Sequence, residues 1–221
     1  MSTYFVVIPV FNEQRNIRRC ILNIQKHWKH IIVVNDGSTD ATASILRRFR
    51  SIHTLTLPSN RGKGSAMLAG AMFAWKKKAK GIIFMDGDNQ HNPIHIKEFI
   101  RFLRQKAHIV IGVRLLKTNI PIHRKIGNRF IALIMRHMFS LSVPDIMCGF
   151  RALSKKGFQQ LRWSSKGYGV ETEMLTVIGK KNIPFRTLIV DTIYHDKYKG
   201  FSLRDGIKIL LHLPYWKWKK A

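Results

Sequence analysis

Residues 82–93 read IIFMDGDNQHNP, an apolar run that ends in two aspartates one residue apart. Short apolar runs without polar alternation are typical of strands that are covered on both faces. The chain has only 12 Asp and Glu against 39 Lys and Arg, so two neighbouring carboxylates require a physical reason. We therefore interpret this stretch as the end of a buried strand and the beginning of a functional site.

Four further short β-rich runs occur in the first half of the chain, with helix-like stretches between them. They are YFVVIP (4–9), HIIVV (30–34), HTLTL (53–57) and HIVIGV (108–113). Strand and helix alternating at this spacing predict an α/β fold, with a mostly parallel sheet and helices on both faces. On such a sheet, ligands bind at the carboxyl ends of the strands.

The composition limits the class of protein. A length of 221 residues with 45% hydrophobic residues, spread along the chain, predicts one globular domain over 1–221. The net charge of +27 attracts polyanions, which include nucleic acids, anionic lipid headgroups and phosphorylated substrates. Cys20 and Cys148 are too few for a disulfide framework and favour a reducing compartment. No uncharged apolar stretch reaches the ~18 residues that span a bilayer, so we expect membrane contact from one side only.

Polar residues follow four of the predicted strands, at the edge where a ligand would bind. Loops are polar in general, which explains any single case but explains the set poorly in a chain so short of acids. The residues are Asn12 and Glu13, which follow Pro9 and Phe11, then Asn35 and Asp36, then Asp86 and Asp88, and finally Arg114.

The Asp-x-Asp spacing suits a divalent cation. Asp86 and Asp88 can share Mg²⁺ or Mn²⁺ and leave positions open for phosphate oxygens and water. Gly87 between them allows the backbone to approach a ligand closely, and Gln90 adds a neutral oxygen. The alternative is a helix N-terminus carrying aspartates for reasons of the helix dipole alone.

Two other loops carry candidate binding residues. In NDGSTDAT (35–42), Ser38 or Thr39 can cap the following helix, whereas Asp36 at the strand tip can accept a hydrogen bond from a nucleobase. In NRGKGSA (60–66), the Walker A ending is missing, so the glycines indicate a tight turn. Lys63 can reach a diphosphate there, although a solvated lysine is the alternative.

Two basic stretches have an amphipathic pattern. In 120–141, Ile126, Phe130, Ile134 and Leu141 form one helical stripe, and Lys125, Arg129 and Arg136 form another. In 203–221, Trp216 and Trp218 stand among lysines. Both stretches suit an anionic membrane surface. The alternatives are a core helix for the first and a frayed basic end for the second.

Seven motifs occur in a fixed order: VVIPVFNE, IIVVNDGSTD, NRGKG, MDGDNQH, VIGVR, DIMCGFR and GYGVETEML. Over nearly the whole chain they resemble the family 2 glycosyltransferases, most closely the polyprenyl-phosphate branch of the dolichol-phosphate mannose synthase type. The resemblance implies a Rossmann-like GT-A fold, a GDP-mannose or UDP-glucose type of donor, Mg²⁺ or Mn²⁺, and inversion at the anomeric carbon. It also implies a polyprenyl-phosphate acceptor, cell-envelope glycan biosynthesis and a peripheral place on the cytoplasmic face of the membrane.

The resemblance assigns roles to individual positions. Pro9, Phe11, Glu13 and Asp36 match residues around the donor nucleotide, and Asp86, Asp88 and Gln90 match those at the metal and diphosphate. Arg114 matches an arginine of the active-site rim, and Asp145 and Arg151, the first and last residues of DIMCGFR, match residues near the acceptor. Three positions depart from the family: Asn35 replaces an aspartate, Phe11 a common tyrosine, and Lys197 an arginine that grips the diphosphate as a bidentate fork.

The acceptor separates the competing functions. A lipid phosphate is already anionic and needs no strong base, whereas a hydroxyl of a glycan, lipid A or another lipid needs a carboxylate to take its proton. Asp145, Glu171 and Glu173 are the candidates for that base. A nucleic-acid-binding protein is a remote alternative, since the zinc-finger, RNP and basic-zipper signatures are missing. We therefore expect no nucleic-acid partner, and the oligomeric state stays open.

Overall fold

The structure is a computed structural model that describes residues 3–114, 122–167, 169–191 and 203–218, with the backbone alone over 122–130 and 203–210. Its strands are β1 (Tyr4–Val10), β2 (Ile31–Asn35), β3 (His53–Thr56), β4 (Gly81–Phe84), β5 (Ile109–Arg114), β6 (Arg151–Ser154) and β7 (Arg186–Val190). Its helices are α1 (Ile17–Gln25), α2 (Thr42–Leu46), α3 (Lys63–Lys76), α4 (Ile96–Arg104), α5 (Ile122–Phe139), α6 (Lys155–Leu161), α7 (Val170–Lys180) and α8 (Leu203–Trp218).

The described strands form one sheet in the order β3-β2-β1-β4-β6-β5-β7. In the centre, Val7 of β1 lies opposite Ile32 of β2 on one side and Phe84 of β4 on the other. Only β6 in this sheet runs against its neighbours β4 and β5. The predicted mostly parallel sheet with helices on both faces is therefore confirmed, and the residues from Arg151, the last of the DIMCGFR motif, form β6, which α6 follows.

Both faces of the sheet are covered, and every side chain of the central strands β1, β2 and β4 is therefore buried. Residues of α1, α2 and α4 pack on one face, together with Val6 and Ile8 of β1. Residues of α3, α5, α7 and α8 pack on the other face, with Val7. Helix α3 lies close to the sheet, since a Cβ atom at Gly70 would clash with Cγ1 of Val7.

The two basic helices take part in this core, which corrects their predicted faces. In the part of α5 with described side chains, the buried positions are Ile131, Met135 and Phe139, whereas Ile134 is only partly buried. In α8, Trp216 is 5% exposed and packs in the core, against the prediction that it lies at a membrane surface. Trp218 is 77% exposed, as predicted. The different fates of the two tryptophans follow from their spacing, since two residues along a helix separate side chains by about 200°.

Among the described helices, none combines the length and the apolar character that crossing a bilayer requires.

Candidate active site

The predicted site residues after β1, β2, β4 and β5 lie along one edge of the sheet. These four strands run in the same direction, so their carboxyl ends meet at that edge. Two loops there use asparagine in the left-handed region, Asn12 with φ 53° and Asn89 with φ 62°. Asparagine tolerates this conformation better than most residues. Helix α1 also holds Asn89 in place, since Oδ1 of Asn89 accepts a hydrogen bond from Nδ2 of Asn23 at 3.0 Å.

Asp86 is the most constrained carboxylate of the edge. Its Oδ1 lies 2.5 Å from Nζ of Lys63, and its Oδ2 lies 3.3 Å from Nε2 of His91. Burial by itself would raise the pKa of Asp86, but the Lys63 ammonium and the contact with His91 outweigh burial and hold that pKa well below its usual range. Asp86 is therefore a fixed anion.

Asp88 is held differently. Its Oδ1 accepts a hydrogen bond from the backbone N–H of Gln90 at 3.0 Å. Burial and the nearby Asp86 charge raise the pKa of Asp88. A carboxylate in this state gains from any cation that comes between it and its neighbour. Gly87 leaves room for the neighbouring strand, because a Cβ atom there would clash with Cγ1 of Val10.

The residues of this loop fit a divalent cation shared with a phosphate. Within the described ranges, no three His, Cys, Asp or Glu side chains are grouped so that they could hold a metal by themselves. Two carboxylates, by contrast, are the usual protein contribution where Mg²⁺ or Mn²⁺ also binds substrate phosphates. Asp86 and Asp88 would hold the cation, and Gln90 follows in the same loop.

Lys63 lies between two carboxylates, with 15% of its side chain exposed. Besides its contact with Asp86, its Nζ lies 2.6 Å from Oε1 of Glu171, in the first turn of α7. Burial alone would lower the pKa of Lys63, but the two carboxylates reverse this and raise it above the usual range. The solvated lysine that the sequence allowed is therefore excluded by the geometry.

Backbone N–H groups of the NRGKG loop, and of Ser65 after it, donate hydrogen bonds to other parts of the protein. Asp36 accepts hydrogen bonds from the N–H groups of Arg61 at 2.8 Å and Gly62 at 2.7 Å. The carbonyl of Lys166 accepts from Gly64 at 2.6 Å and from Ser65 at 3.2 Å. These amides are the ones that a phosphate-binding loop would offer. The glycines thus serve a tight turn, as predicted, with Gly62 at φ 90°, and Asp36 holds that turn.

Arg114 and Asp145 form a two-point ion pair at the rim. Nε of Arg114 lies 2.6 Å from Oδ2 of Asp145, and Nη2 lies 2.9 Å from Oδ1. The Asp145 carboxylate is fully buried and also accepts from the backbone N–H groups of Arg114 and Met147. Asp145 therefore fixes Arg114 rather than standing open to a substrate.

Arg151 is placed differently from the prediction that it acts on the acceptor. It is 1% exposed, and its guanidinium donates to the carbonyls of Cys148 at 2.9 Å, Ile146 at 2.8 Å and Glu171 at 2.7 Å. A side chain enclosed in this way can position the segment that contains Asp145 and the first turn of α7. It does not reach a substrate.

Glu173 is likewise engaged in structure. Its carboxylate accepts hydrogen bonds from the backbone N–H groups of Ser164 and Ser165 and from the Ser164 hydroxyl. Burial would raise the pKa of Glu173, but these hydrogen bonds outweigh burial and lower it. Glu173 therefore holds the segment that covers the beginning of α3.

The predicted nucleotide residues of the first two loops are close together. Pro9 lies within β1, Phe11 is 40% exposed, and Oε2 of Glu13 accepts from Nδ2 of Asn16 at 3.1 Å. The predicted helix cap is corrected: Asp40 accepts from the N–H of Thr42 at 2.9 Å, whereas Ser38 and Thr39 bond to Asn12. Lys197 lies outside the described residues.

Sequence reasoning missed two residues that touch Asp86. His91 belongs to the quoted MDGDNQH motif, but its role depends on burial that the motif does not reveal. Gly149 packs directly on the carboxylate, since a Cβ atom there would stand 2.5 Å from Oδ2 of Asp86. A glycine inside the DIMCGFR motif was the available signal.

We expect Gly149→Ala to lower the affinity for Mn²⁺ in the presence of nucleotide by about 10- to 100-fold, because the new methyl group displaces the Asp86 carboxylate. Calorimetric titration measures this. Gly167→Ala is the matched control, since a Cβ atom at Gly167 meets nothing within 4 Å. Equal Mn²⁺ affinities for the two variants would contradict the prediction.

Seven strands in this order, with an Asp-x-Asp loop at their carboxyl edge and Lys63 against that loop, have the arrangement of the GT-A fold. The chain belongs to glycosyl transferase family 2, whose sequence profile matches residues 5–162.

Named relatives share most of the chain. The UDP-N-acetylglucosamine–dolichyl-phosphate N-acetylglucosaminyltransferase of Methanococcus voltae is 27% identical over 98% of this chain and 97% of its own length. The polyprenol monophosphomannose synthase of Mycolicibacterium smegmatis is 25% identical over 92% of this chain and 82% of its own length. Among solved structures, glucosyl-3-phosphoglycerate synthase of Mycobacterium tuberculosis, in complex with Mn²⁺, UDP and phosphoglyceric acid, superimposes with a TM-score of 0.77. The superposition covers all of this chain and 80% of the synthase chain at 17% identity, and it supports the fold.

Proposed function

We propose that the protein transfers a sugar, with inversion, from a nucleotide-sugar to a polyprenyl phosphate at the cytoplasmic face of a membrane, and that residues 1–221 form one catalytic domain. The observation that carries the proposal is the Asp86–Asp88 loop, at the carboxyl edge of the sheet and with Lys63 against it. The polyprenyl-phosphate substrates named for the relatives agree with it.

The donor half of the reaction follows from the charges at this edge. A nucleoside diphosphate leaves with growing negative charge, which a divalent cation on Asp86 and Asp88 would stabilise when bound. Lys63 places a permanent positive charge beside Asp86, and Arg114 places another at the rim. Both cations are held by carboxylates, so they are oriented before the donor arrives.

The acceptor half is supported by what the three candidate bases contact. Asp145 is bound by Arg114, Glu171 by Lys63, and Glu173 by Ser164 and Ser165. Each carboxylate is therefore engaged in holding another part of the site. An acceptor that is already anionic, such as a lipid phosphate, needs no base and suits this arrangement better than a hydroxyl does. Its oxygen attacks the anomeric carbon from the side opposite the diphosphate, and the bond to the diphosphate breaks.

Incubation with radiolabelled UDP- and GDP-sugars, Mn²⁺ and a polyprenyl phosphate tests the proposal. We expect an organic-extractable product that mild acid hydrolyses, because a glycosyl phosphate is acid-labile. The unphosphorylated polyprenol is the matched control and should give none. Transfer to the polyprenol or to a glycan hydroxyl, with none to the phosphate, would overturn the lipid-phosphate assignment.

The membrane contact that we propose lies on α8. Leu211, Tyr215 and Trp218 are 73%, 57% and 77% exposed, and their spacing of four and three residues places them on one helix face. Leu213 and Trp216 anchor the other side of the helix in the core. An aromatic and aliphatic stripe beside Lys217, on a chain of net charge +27, suits the headgroup level of an anionic bilayer.

We expect the triple change Leu211→Ser, Tyr215→Ser and Trp218→Ser to weaken binding to vesicles of anionic phospholipid by at least about tenfold, since each side chain loses apolar contact with the bilayer. Cosedimentation measures the binding. Leu22→Ser is the control, because Leu22 is an exposed leucine among basic residues of α1, on the other face of the sheet. If Leu22→Ser has the larger effect, the other face binds the membrane.

A further inference from the structure

His91 is buried beside the metal-binding loop, in an environment that gives it one polar contact. The residue is 4% exposed, and its ring packs against the Phe150 ring with centroids 5.0 Å apart. Its Nε2 lies 3.3 Å from Oδ2 of Asp86. The other ring nitrogen, Nδ1, is buried without a hydrogen-bond partner among the described residues.

This geometry fixes the direction of the hydrogen bond. An ionised carboxylate only accepts, so the hydrogen lies on Nε2 and is donated to Asp86. A hydrogen on Nδ1 would be an unsatisfied buried donor, which is unfavourable. The protein thus keeps a buried imidazole with one unsatisfied nitrogen, and the interaction it gains in return is the contact with Asp86.

We propose that His91 is a positioning residue, which holds one oxygen of Asp86 so that the carboxylate presents a fixed orientation to the divalent cation. Two other residues affect the same carboxylate. Nζ of Lys63 contacts Oδ1, and Gly149 leaves room for Oδ2 because it has no side chain. The inference rests on the proposed function, because it assumes a cation at Asp86 and Asp88.

Two substitutions separate the hydrogen bond from the packing. His91→Phe keeps an aromatic ring against Phe150 and removes the donor. His91→Gln keeps an N–H that can reach the position of Nε2 and removes the ring. We expect His91→Phe to weaken Mn²⁺ binding in the presence of UDP or GDP by about 10- to 100-fold, the range for partners that orient metal ligands. His91→Gln should retain most of the affinity.

The thermal stability of the same variants distinguishes positioning from simple structural support. We expect the melting temperature of His91→Phe without metal to change little, because the variant loses the hydrogen bond to Asp86 and also loses a buried nitrogen that lacks a partner. The affinity for Mn²⁺ would then fall without a matching loss of stability. Calorimetry with Mn²⁺ and nucleotide, and thermal denaturation without them, provide the two measurements.

The outcomes separate this inference from the proposed function. If the wild-type protein binds Mn²⁺ and nucleotide and His91→Phe binds them equally well, the positioning role is wrong while the proposed function stands. If His91→Phe loses affinity and melting temperature together, and His91→Gln does the same, His91 serves packing and the inference also fails. If the wild-type protein binds no divalent cation with any UDP- or GDP-sugar, the proposed function fails first.

Discussion

Asp88→Asn is expected to reduce sugar transfer by roughly a thousandfold, because an amide cannot supply the second negative charge that a divalent cation needs at this loop. In the wild-type protein, burial and the Asp86 charge raise the pKa of Asp88, so the ionised form of Asp88 is disfavoured. A bound cation would stabilise the ionised form, and this links Asp88 to donor binding. Initial rates at saturating donor, with Mn²⁺ varied, measure the loss.

A binding measurement accompanies this prediction. In the wild-type protein we expect Mn²⁺ to strengthen the binding of UDP or GDP, whereas in Asp88→Asn the nucleotide affinity should no longer depend on Mn²⁺. Glu98→Gln removes a carboxylate from the surface of α4 and is the control for the change in net charge. If Asp88→Asn turns over as fast as the wild-type protein, then Asp88 does not hold the cation and the proposed donor site is wrong.

The second large effect is expected for Lys63→Met, which should lower the free energy of unfolding by about 3–5 kcal/mol. The substitution removes the ammonium group that bridges the partly exposed Asp86 carboxylate and the buried Glu171 carboxylate, and a buried charge without its partner is strongly unfavourable. Urea denaturation at neutral pH measures the change. Lys76→Met, at the exposed end of the same helix, is the control and should cost less than about 0.5 kcal/mol.

A double substitution tests the physical cause. Lys63→Met with Glu171→Gln removes one of the two stranded charges, so it should recover part of the lost stability, with a coupling energy of at least about 1 kcal/mol. Strictly additive effects would show that Lys63 does not bridge the carboxylates in solution. The result concerns stability, so it does not depend on which acceptor the enzyme uses.

The same ion pair predicts a pH dependence. Lys63 holds the pKa of Asp86 below its unfolded value, so the stability that the pair contributes is present above about pH 4 and is lost as the pH falls further. The unfolding free energy of Lys63→Met should therefore fall less steeply below about pH 4 than that of the wild-type protein.

The architecture could be predicted from the sequence because it depends on local patterns. Apolar runs of four to six residues indicate buried strands, and strand–helix alternation then places all parallel strand ends at one edge. For that reason Asp36, Asp86, Asp88 and Arg114 could be assigned to a common edge before any contact was known. The exception is β6, whose antiparallel direction depends on how the long connection through α5 returns to the sheet.

The roles of individual polar residues were harder to predict. Arg151 and Trp216 have the residue types of functional surface positions, yet both are buried. Asp145 and Glu173 have the residue type of a general base, yet both hold other parts of the chain. Residue type states what a side chain can do, and only its neighbours determine which of those possibilities is used.

By itself, the sequence determined the strand order along the chain, the edge of the sheet where the candidate site lies and the pair of aspartates at its centre, since hydrophobic periodicity acts over a few residues. Only the tertiary structure decided that Lys63 bridges Asp86 and Glu171 and that His91 and Gly149 fix the Asp86 carboxylate. Lys63 and Glu171 are more than a hundred positions apart in the chain. Such pairings arise when two layers pack on a common sheet and bury charges that must then find partners.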